Sequence, residues 1–208
     1  MTKTLLAIVN TALVIAYPFA VYLGLTRFGA REVGLVLLLL LLPRLVASAR
    51  EAAKEHLGAV LRVPLTIALL VGLGAALGDG RFFLALPALV NIVLLANFAA
   101  SLRGPISLVE RMARLQEPEL PPGGPEYCRK VTKVWCGFFV VNGAVAAGLA
   151  LWGEVTVWAL YTGLVAYLLM GLLFTAEFVV RKRTFRRFGD SLPDRLLARV
   201  MGRAPGAP

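Results

Sequence analysis

The strongest constraint on this chain is how its 22 Lys and Arg residues are distributed between its apolar runs. If the chain crosses a bilayer at every apolar run of sufficient length, 19 of these cations fall on one side and 3 on the other. Membrane insertion leaves Lys and Arg in the cytoplasm. The pattern therefore predicts an all-α, polytopic membrane protein with six transmembrane helices and both termini cytoplasmic. The predicted spans are about 5–25, 33–49, 59–78, 82–102, 132–152 and 155–179.

The composition agrees with a membrane protein and argues against a nucleic-acid-binding one. The chain is 59% hydrophobic with a mean hydropathy of +0.78, and a soluble domain is closer to half apolar. Its net charge of +10 borders apolar runs and does not form a basic patch interleaved with aromatic residues. We therefore expect membrane lipids as partners, above all the anionic inner leaflet, and no nucleic acid.

Short loops between the runs predict one membrane domain with a tail. We assign 1–183 to a six-helix membrane domain and 184–208 to a basic cytoplasmic tail. Segment 105–116 alternates apolar and charged residues at helical spacing and starts with a proline, which predicts a short cytoplasmic amphipathic helix between spans four and five. The prolines and glycines of 118–125 predict irregular structure before span five.

A basic surface beside this helix is the first candidate site. Arg111 and Arg114 lie three residues apart on one helical face, and a guanidinium can bind phosphate or carboxylate through two parallel hydrogen bonds. The plainer interpretation, ordinary positive-inside charge, is favoured. The candidate residues for lipid or anion binding are Arg111, Arg114, Arg129, Lys130, Lys133 and Arg44.

Arg44 differs from the others because it lies within a predicted span, about 9 Å from its inner edge at 1.5 Å per residue. Its side chain either snorkels to the interface or needs a partner or an anionic ligand. The sequence leaves both interpretations open.

A polar interior is the second candidate site. Polar side chains in lipid turn toward the inside of a helix bundle, where they form a pocket or join helices by hydrogen bonds. The joining role is favoured. For Glu177, four residues before Arg181, an interfacial ion pair is favoured over a proton-linked acid. The candidates are Asn10, Tyr17, Asn91, Asn142, Tyr167 and Glu177.

No motif for catalysis or metal binding is evident. The sequence contains no glycine-rich phosphate loop, nucleophile elbow or zinc motif, and His56 is its single histidine. We therefore name no catalytic residue and expect no metal and no cofactor. A non-enzymatic role is favoured, and enzymatic activity is left open.

Part of the chain resembles a known family. The segments that carry the resemblance are SLVERMARLQEPELPP (107–122), YCRKVTKVWCGFF (127–139), NG (142–143), WALY (158–161) and YLLMGLLFTAE (167–177). They resemble an uncharacterised family of small bacterial inner-membrane proteins, often encoded beside fatty-acid-synthase-like enzymes of the aryl polyene type. The resemblance implies a bacterial inner-membrane location and an acyl-lipid setting, and it implies no active site.

Three classes of function follow from these features. The leading hypothesis is an accessory membrane protein of lipid or polyene biosynthesis that binds or presents an acyl-lipid or other anionic lipid intermediate. An acyl carrier protein or soluble biosynthetic enzymes are its candidate partners. The first alternative is a small transporter or lipid flippase with a polar path through the bundle. The second is a membrane-embedded transferase acting at the cytoplasmic rim, with Glu110 beside the two arginines of the amphipathic helix.

Overall fold

Apolar runs rich in Leu, Val and Ala form helices, which satisfy their backbone hydrogen bonds within one segment. The computed structural model describes the backbone of residues 2–55 and 58–185, and the side chains of 15–42, 65–115 and 117–185. All regular elements in this described backbone are helical. The predicted all-α class is therefore confirmed for that part of the chain.

The helices follow one another with short connections. In chain order they are α1 (Thr2–Arg27), α2 (Ala30–Glu55), α3 (Gly58–Leu77), α4 (Arg81–Leu84), α5 (Leu86–Ser101), α6 (Leu108–Gln116), α7 (Gly124–Trp152), α8 (Val155–Leu160), a π-helical turn (Tyr161–Val165) and α9 (Ala166–Phe185).

Helix covers nearly all of each predicted span, and three helical segments are long and apolar enough to cross a membrane. These segments are Arg81–Ser101, Gly124–Trp152 and Val155–Phe185. Helices of this length and hydropathy are typical of membrane proteins. Crossings at the first three predicted spans stay predictions, and many side chains of those spans lie outside the described residues.

Two helix starts differ from the sequence prediction. α6 begins at Leu108, later than predicted, because Ser107 caps it by accepting the Glu110 amide at 3.4 Å. α7 begins already at Gly124, so the prediction of irregular structure up to Pro125 was wrong at its end. Pro125 fits the first turn of α7, where a missing N–H costs no intrahelical bond.

The described chain forms two compact units. Unit one contains residues of 1–94 and 139–165, and its core centres on Phe83 and Trp158, both fully buried. Buried Trp and Tyr need acceptors for their polar hydrogens. The Trp158 indole donates to the carbonyl of Leu84 at 2.9 Å, and the Tyr17 hydroxyl donates to the carbonyl of Phe83 at 2.8 Å.

Small residues bring helices of unit one close together. A Cβ at Gly34 of α2 would lie 2.5 Å from the Cβ of Ala75 of α3, and one at Gly74 would lie 2.6 Å from the Phe83 ring. Both distances are shorter than van der Waals contact, so a larger residue at either position would force its neighbours to shift. Such small residues are common where apolar helices pack closely.

Unit two contains residues of 95–138 and 166–185 and is built around Trp135. The Trp135 ring lies 4.5 Å from that of Phe174, 5.7 Å from that of Phe138 and 6.3 Å from that of Phe98, measured between centroids. These aromatic contacts join α5, α7 and α9 within the unit. The candidate anion-binding residues on α6 and at the start of α7 belong to this unit.

Candidate functional site

At α6 and its N-terminal cap, two polar side chains are buried while two large apolar side chains are exposed. Ser107 and Glu110 are buried, whereas Met112 is 56% and Leu115 83% exposed. Arg111 is exposed on the same side of the helix as these two apolar residues. We call Arg111, Met112 and Leu115 the α6 surface. Exposed apolar side chains beside an arginine are typical of a helix that lies at a membrane interface.

Glu110 is buried because Arg114 neutralises it. The Arg114 Nη2 and Nε atoms donate to the same carboxylate oxygen at 2.7 and 3.0 Å, and Nη1 donates to the carbonyl of Pro118 at 3.3 Å. A buried carboxylate without such a partner would be costly. Arg114 therefore stabilises α6 and the segment after it, and less of its guanidinium is available to a ligand.

Arg129 also has intramolecular partners. Its guanidinium donates to the carbonyls of Leu102 and Gly104, the turn that follows α5. Both carbonyls lie just after the last residue of α5, and an arginine fork can satisfy two backbone acceptors at once. Arg129 therefore connects the start of α7 to the end of α5, an arrangement that charge counting alone could not predict.

The remaining predicted cations lie in different surroundings. Arg111, Lys130 and Lys133 are exposed, so they are the members of the basic surface best placed to meet an anion. Arg44 lies in helix α2, and its side chain lies outside the described residues. Both interpretations of Arg44 stay predictions.

The structure joins two of the predicted interior residues directly. Within unit one, the Asn142 amide donates to Oδ1 of Asn91 at 3.0 Å, and the Asn91 amide donates to the carbonyl of Pro87 at 2.8 Å. The Tyr161 hydroxyl donates to Oδ1 of Asn142 at 2.9 Å. We call Asn91, Asn142 and Tyr161 the asparagine chain. Both asparagines are buried, and their mutual bonds favour a role in joining helices.

The other predicted interior residues lie elsewhere. Tyr17 is in unit one but donates to the carbonyl of Phe83. Tyr167 and Glu177 are in unit two, where the Tyr127 hydroxyl donates to the Glu177 carbonyl at 3.1 Å and Arg181 lies 3.8 Å from the Glu177 carboxylate. The ion pair is the interpretation favoured for Glu177. Asn10 lies on α1, and its side chain is outside the described residues.

Sequence reasoning missed two members of these sites. Tyr161 was overlooked because regular helical spacing placed Tyr167 on the polar face of the last span, and the π-helical turn at 161–165 interrupts that spacing. Ser107 could have been found, since Ser-x-x-Glu before an apolar run is a known helix-start signal. In the structure the Glu110 side chain binds Arg114 and so does not complete a capping box.

Neither a search for metal ligands nor comparison with known proteins indicates what these residues bind. Among the described residues, no three His, Cys, Asp or Glu side chains lie close enough together to hold a metal ion. The sequence matches no protein-family model and no curated protein, and no solved structure matches the chain. The function must therefore be argued from the residues themselves.

Proposed function

We propose that this protein is a multi-pass protein of the bacterial inner membrane that binds an anionic acyl lipid at the α6 surface. In this proposal it crosses the membrane six times, with both termini cytoplasmic, and acts as an accessory component of lipid or polyene biosynthesis. The observation that carries the proposal is the exposure of Met112 and Leu115 beside Arg111, while Glu110 is buried.

This arrangement fits a lipid better than a soluble anion. Apolar side chains at an interface bury themselves among acyl chains, and a neighbouring arginine can bind the phosphate by two hydrogen bonds. Lys130 and Lys133 are also exposed and add long-range attraction for an anionic leaflet. The same cations would attract an acidic acyl carrier protein or soluble biosynthetic enzymes from the cytoplasm.

The two alternative functions receive less support. A transferase using Glu110 would need that carboxylate accessible, but its side chain is 6% exposed and bound to Arg114. A transporter using the asparagine chain would need polar groups that can bind a solute, but these residues hydrogen-bond to one another and to the Pro87 carbonyl. Both observations favour a non-catalytic lipid-binding protein.

The test is to measure which lipids the gently extracted protein retains. Purified wild type, Arg111→Gln and Arg183→Gln would be mixed with phosphatidylglycerol and phosphatidylcholine and studied by native mass spectrometry. Arg183 is the matched control, because it is an exposed cation of the same unit outside the α6 surface. One basic residue near an anionic surface contributes about 1 kcal/mol, so Arg111→Gln should lower the preference for phosphatidylglycerol about fivefold.

The apolar part of the α6 surface is tested by replacing Met112 and Leu115 with Asp. Both side chains are exposed, so the bundle should still fold, whereas Val109 is half-buried and Asp there would also disturb packing. The double variant should lose phosphatidylglycerol retention with an unchanged unfolding temperature. Equal lipid retention in wild type, Arg111→Gln and the double Asp variant would refute lipid binding at this surface.

A further inference from the structure

The described parts of α1 and α2 form a groove with apolar walls. It has a volume of about 560 Å³ and belongs to unit one. Its walls are formed by Ala20 and Leu23 of α1 and by Val36 and Leu40 of α2, all apolar and exposed. In a chain that spans a membrane, a groove with such walls is open to lipid acyl chains.

The floor of the groove is closed where the two helices approach each other. A Cβ at Gly24 would lie 2.6 Å from a methyl group of Val33, so glycine allows the close contact. Along α1 the lining residues extend over seven residues, from Arg27 back to Ala20. Along α2 they extend over eight residues, from Glu32 to Leu40. At 1.5 Å per residue the apolar length is about 10–12 Å, long enough for part of one acyl chain.

One end of the groove carries one positive and one negative side chain. Arg27 ends α1, Glu32 lies in the first turn of α2, and both line the groove and are exposed. Among the side chains that the structure describes, neither takes part in an ion pair. Both charges therefore face the same end of an apolar groove without neutralising each other.

We propose that this groove binds a bilayer phospholipid with an ethanolamine headgroup. The Arg27 guanidinium would bind the phosphate by two hydrogen bonds, and the Glu32 carboxylate would bind the primary ammonium. One acyl chain would lie between α1 and α2 against Leu23, Val36 and Leu40. The inference shares with the proposed function only the placement of the chain in a membrane.

Charge complementarity selects this lipid over the other common ones. Phosphatidylglycerol has no cationic group, so its headgroup would leave the Glu32 carboxylate without an opposite charge. Phosphatidylcholine has a quaternary ammonium without N–H donors and cannot hydrogen-bond to the carboxylate. Arg27 and Glu32 both precede the second predicted span, on the side to which the predicted topology assigns few cations.

The experiment separates the two charges with single variants of the full chain. Wild type, Arg27→Gln, Glu32→Gln and Arg31→Gln would be equilibrated with equal amounts of phosphatidylethanolamine, phosphatidylcholine and phosphatidylglycerol, and the retained lipids would be counted by native mass spectrometry. Arg31 is the matched control, because it is an exposed cation beside Glu32 that does not line the groove.

Each variant has a distinct expected result. Hydrogen bonds to charged groups are strong enough that wild type should prefer phosphatidylethanolamine to phosphatidylcholine about tenfold. Glu32→Gln should abolish this preference, Arg27→Gln should lower the retention of both lipids, and Arg31→Gln should resemble wild type. An unchanged preference in Glu32→Gln, or an equal loss in Arg31→Gln, would overturn the proposal.

A crosslinking measurement locates the lipid independently. Phosphatidylethanolamine with a diazirine in its acyl chain should label peptides from 20–40 in wild type, and Ala20→Phe, which fills the groove, should lower this labelling. Labelling confined to other segments would refute the site. Arg111→Gln should leave the labelling of 20–40 unchanged, so failure of the α6 surface and failure of the groove are distinguishable.

Discussion

The side-chain amide of Asn142 on α7 donates to Oδ1 of Asn91 on α5 at 3.0 Å, inside unit one. Tyr161 and the carbonyl of Pro87 extend this pair at its two ends, so the oxygens of both asparagines and the Asn91 amide have partners. Gly143 allows the approach, since a Cβ there would lie 3.0 Å from Cβ of Asn91. A polar connection in apolar surroundings joins helices whose apolar side chains would pack equally well against lipid.

The coupling between the two asparagines should be measurable by a double-mutant cycle. Asn91→Ala, Asn142→Ala and the double variant should show a coupling free energy of about 0.6 kcal/mol, and no more than about 1.7 kcal/mol, in unfolding by detergent titration. Asn91→Ala combined with Val141→Ala, an exposed neighbour on α7, is the control and should show none. A coupling of zero for the asparagine pair would contradict the joining role.

Two glycines on α3 should respond in opposite directions to the same substitution. A Cβ at Gly74 would lie 2.6 Å from the Phe83 ring, so Gly74→Ala should destabilise the protein by about 1–3 kcal/mol through overpacking. Nothing lies within 4 Å of a Cβ at Gly72, so Gly72→Ala should stabilise it by up to about 1 kcal/mol through helix propensity. Thermal unfolding in detergent measures both. Equal effects at the two positions would show that unit one does not pack as described.

The sequence predicted the helices well because long apolar runs leave the backbone no other way to satisfy its hydrogen bonds. It predicted the hydrogen-bond partners of the interior residues less well, because assigning residues to a helix face assumes 3.6 residues per turn. The π-helical turn at 161–165 departs from that spacing, and Tyr161 provides the hydroxyl for Asn142. Asn91 and Asn142, which lie on uninterrupted helices, were among the residues predicted to lie in the interior.

The basic surface shows a different limit of sequence reasoning. Charge counting treats all Lys and Arg residues alike, but the structure gives Arg114 a buried carboxylate and Arg129 two carbonyls, while Arg111 is exposed. Such contacts depend on the tertiary fold: Arg129 binds the carbonyl of Leu102, which lies 27 positions earlier in the sequence. No local pattern encodes such a contact, so only the structure separates Arg114 and Arg129, which bind other groups of the protein, from Arg111.

Arg129 should therefore affect stability where its neighbour does not. Arg129→Gln removes the charged donors to the carbonyls after α5, so backbone amides of 102–108 should exchange with deuterium about tenfold faster. Lys130→Gln is the matched control, because it removes one positive charge from an exposed side chain at the adjacent position. Similar exchange rates in the two variants would show that the contact made by Arg129 contributes nothing to the turn.

The predicted topology can be tested with cysteines at positions that the structure shows to be suitable. Glycines in loops are poor choices: Gly78 and Gly123 have positive φ, and a Cβ at Gly153 would lie 2.7 Å from the Leu149 carbonyl. Glu119 and Glu154 are exposed and lie between predicted spans, so cysteine at either position should leave the fold intact.

If the distribution of Lys and Arg sets the orientation, a membrane-impermeant maleimide should label Glu154→Cys in intact cells and should label Glu119→Cys only after the membrane is opened. Glu154 lies in the predicted outer loop between the last two spans, and Glu119 lies in the basic segment between spans four and five. Wild type is the control, because its own Cys128 is buried and Cys136 is half-buried. Labelling of Glu119→Cys from outside would reverse the orientation and remove the α6 surface from the cytoplasmic leaflet.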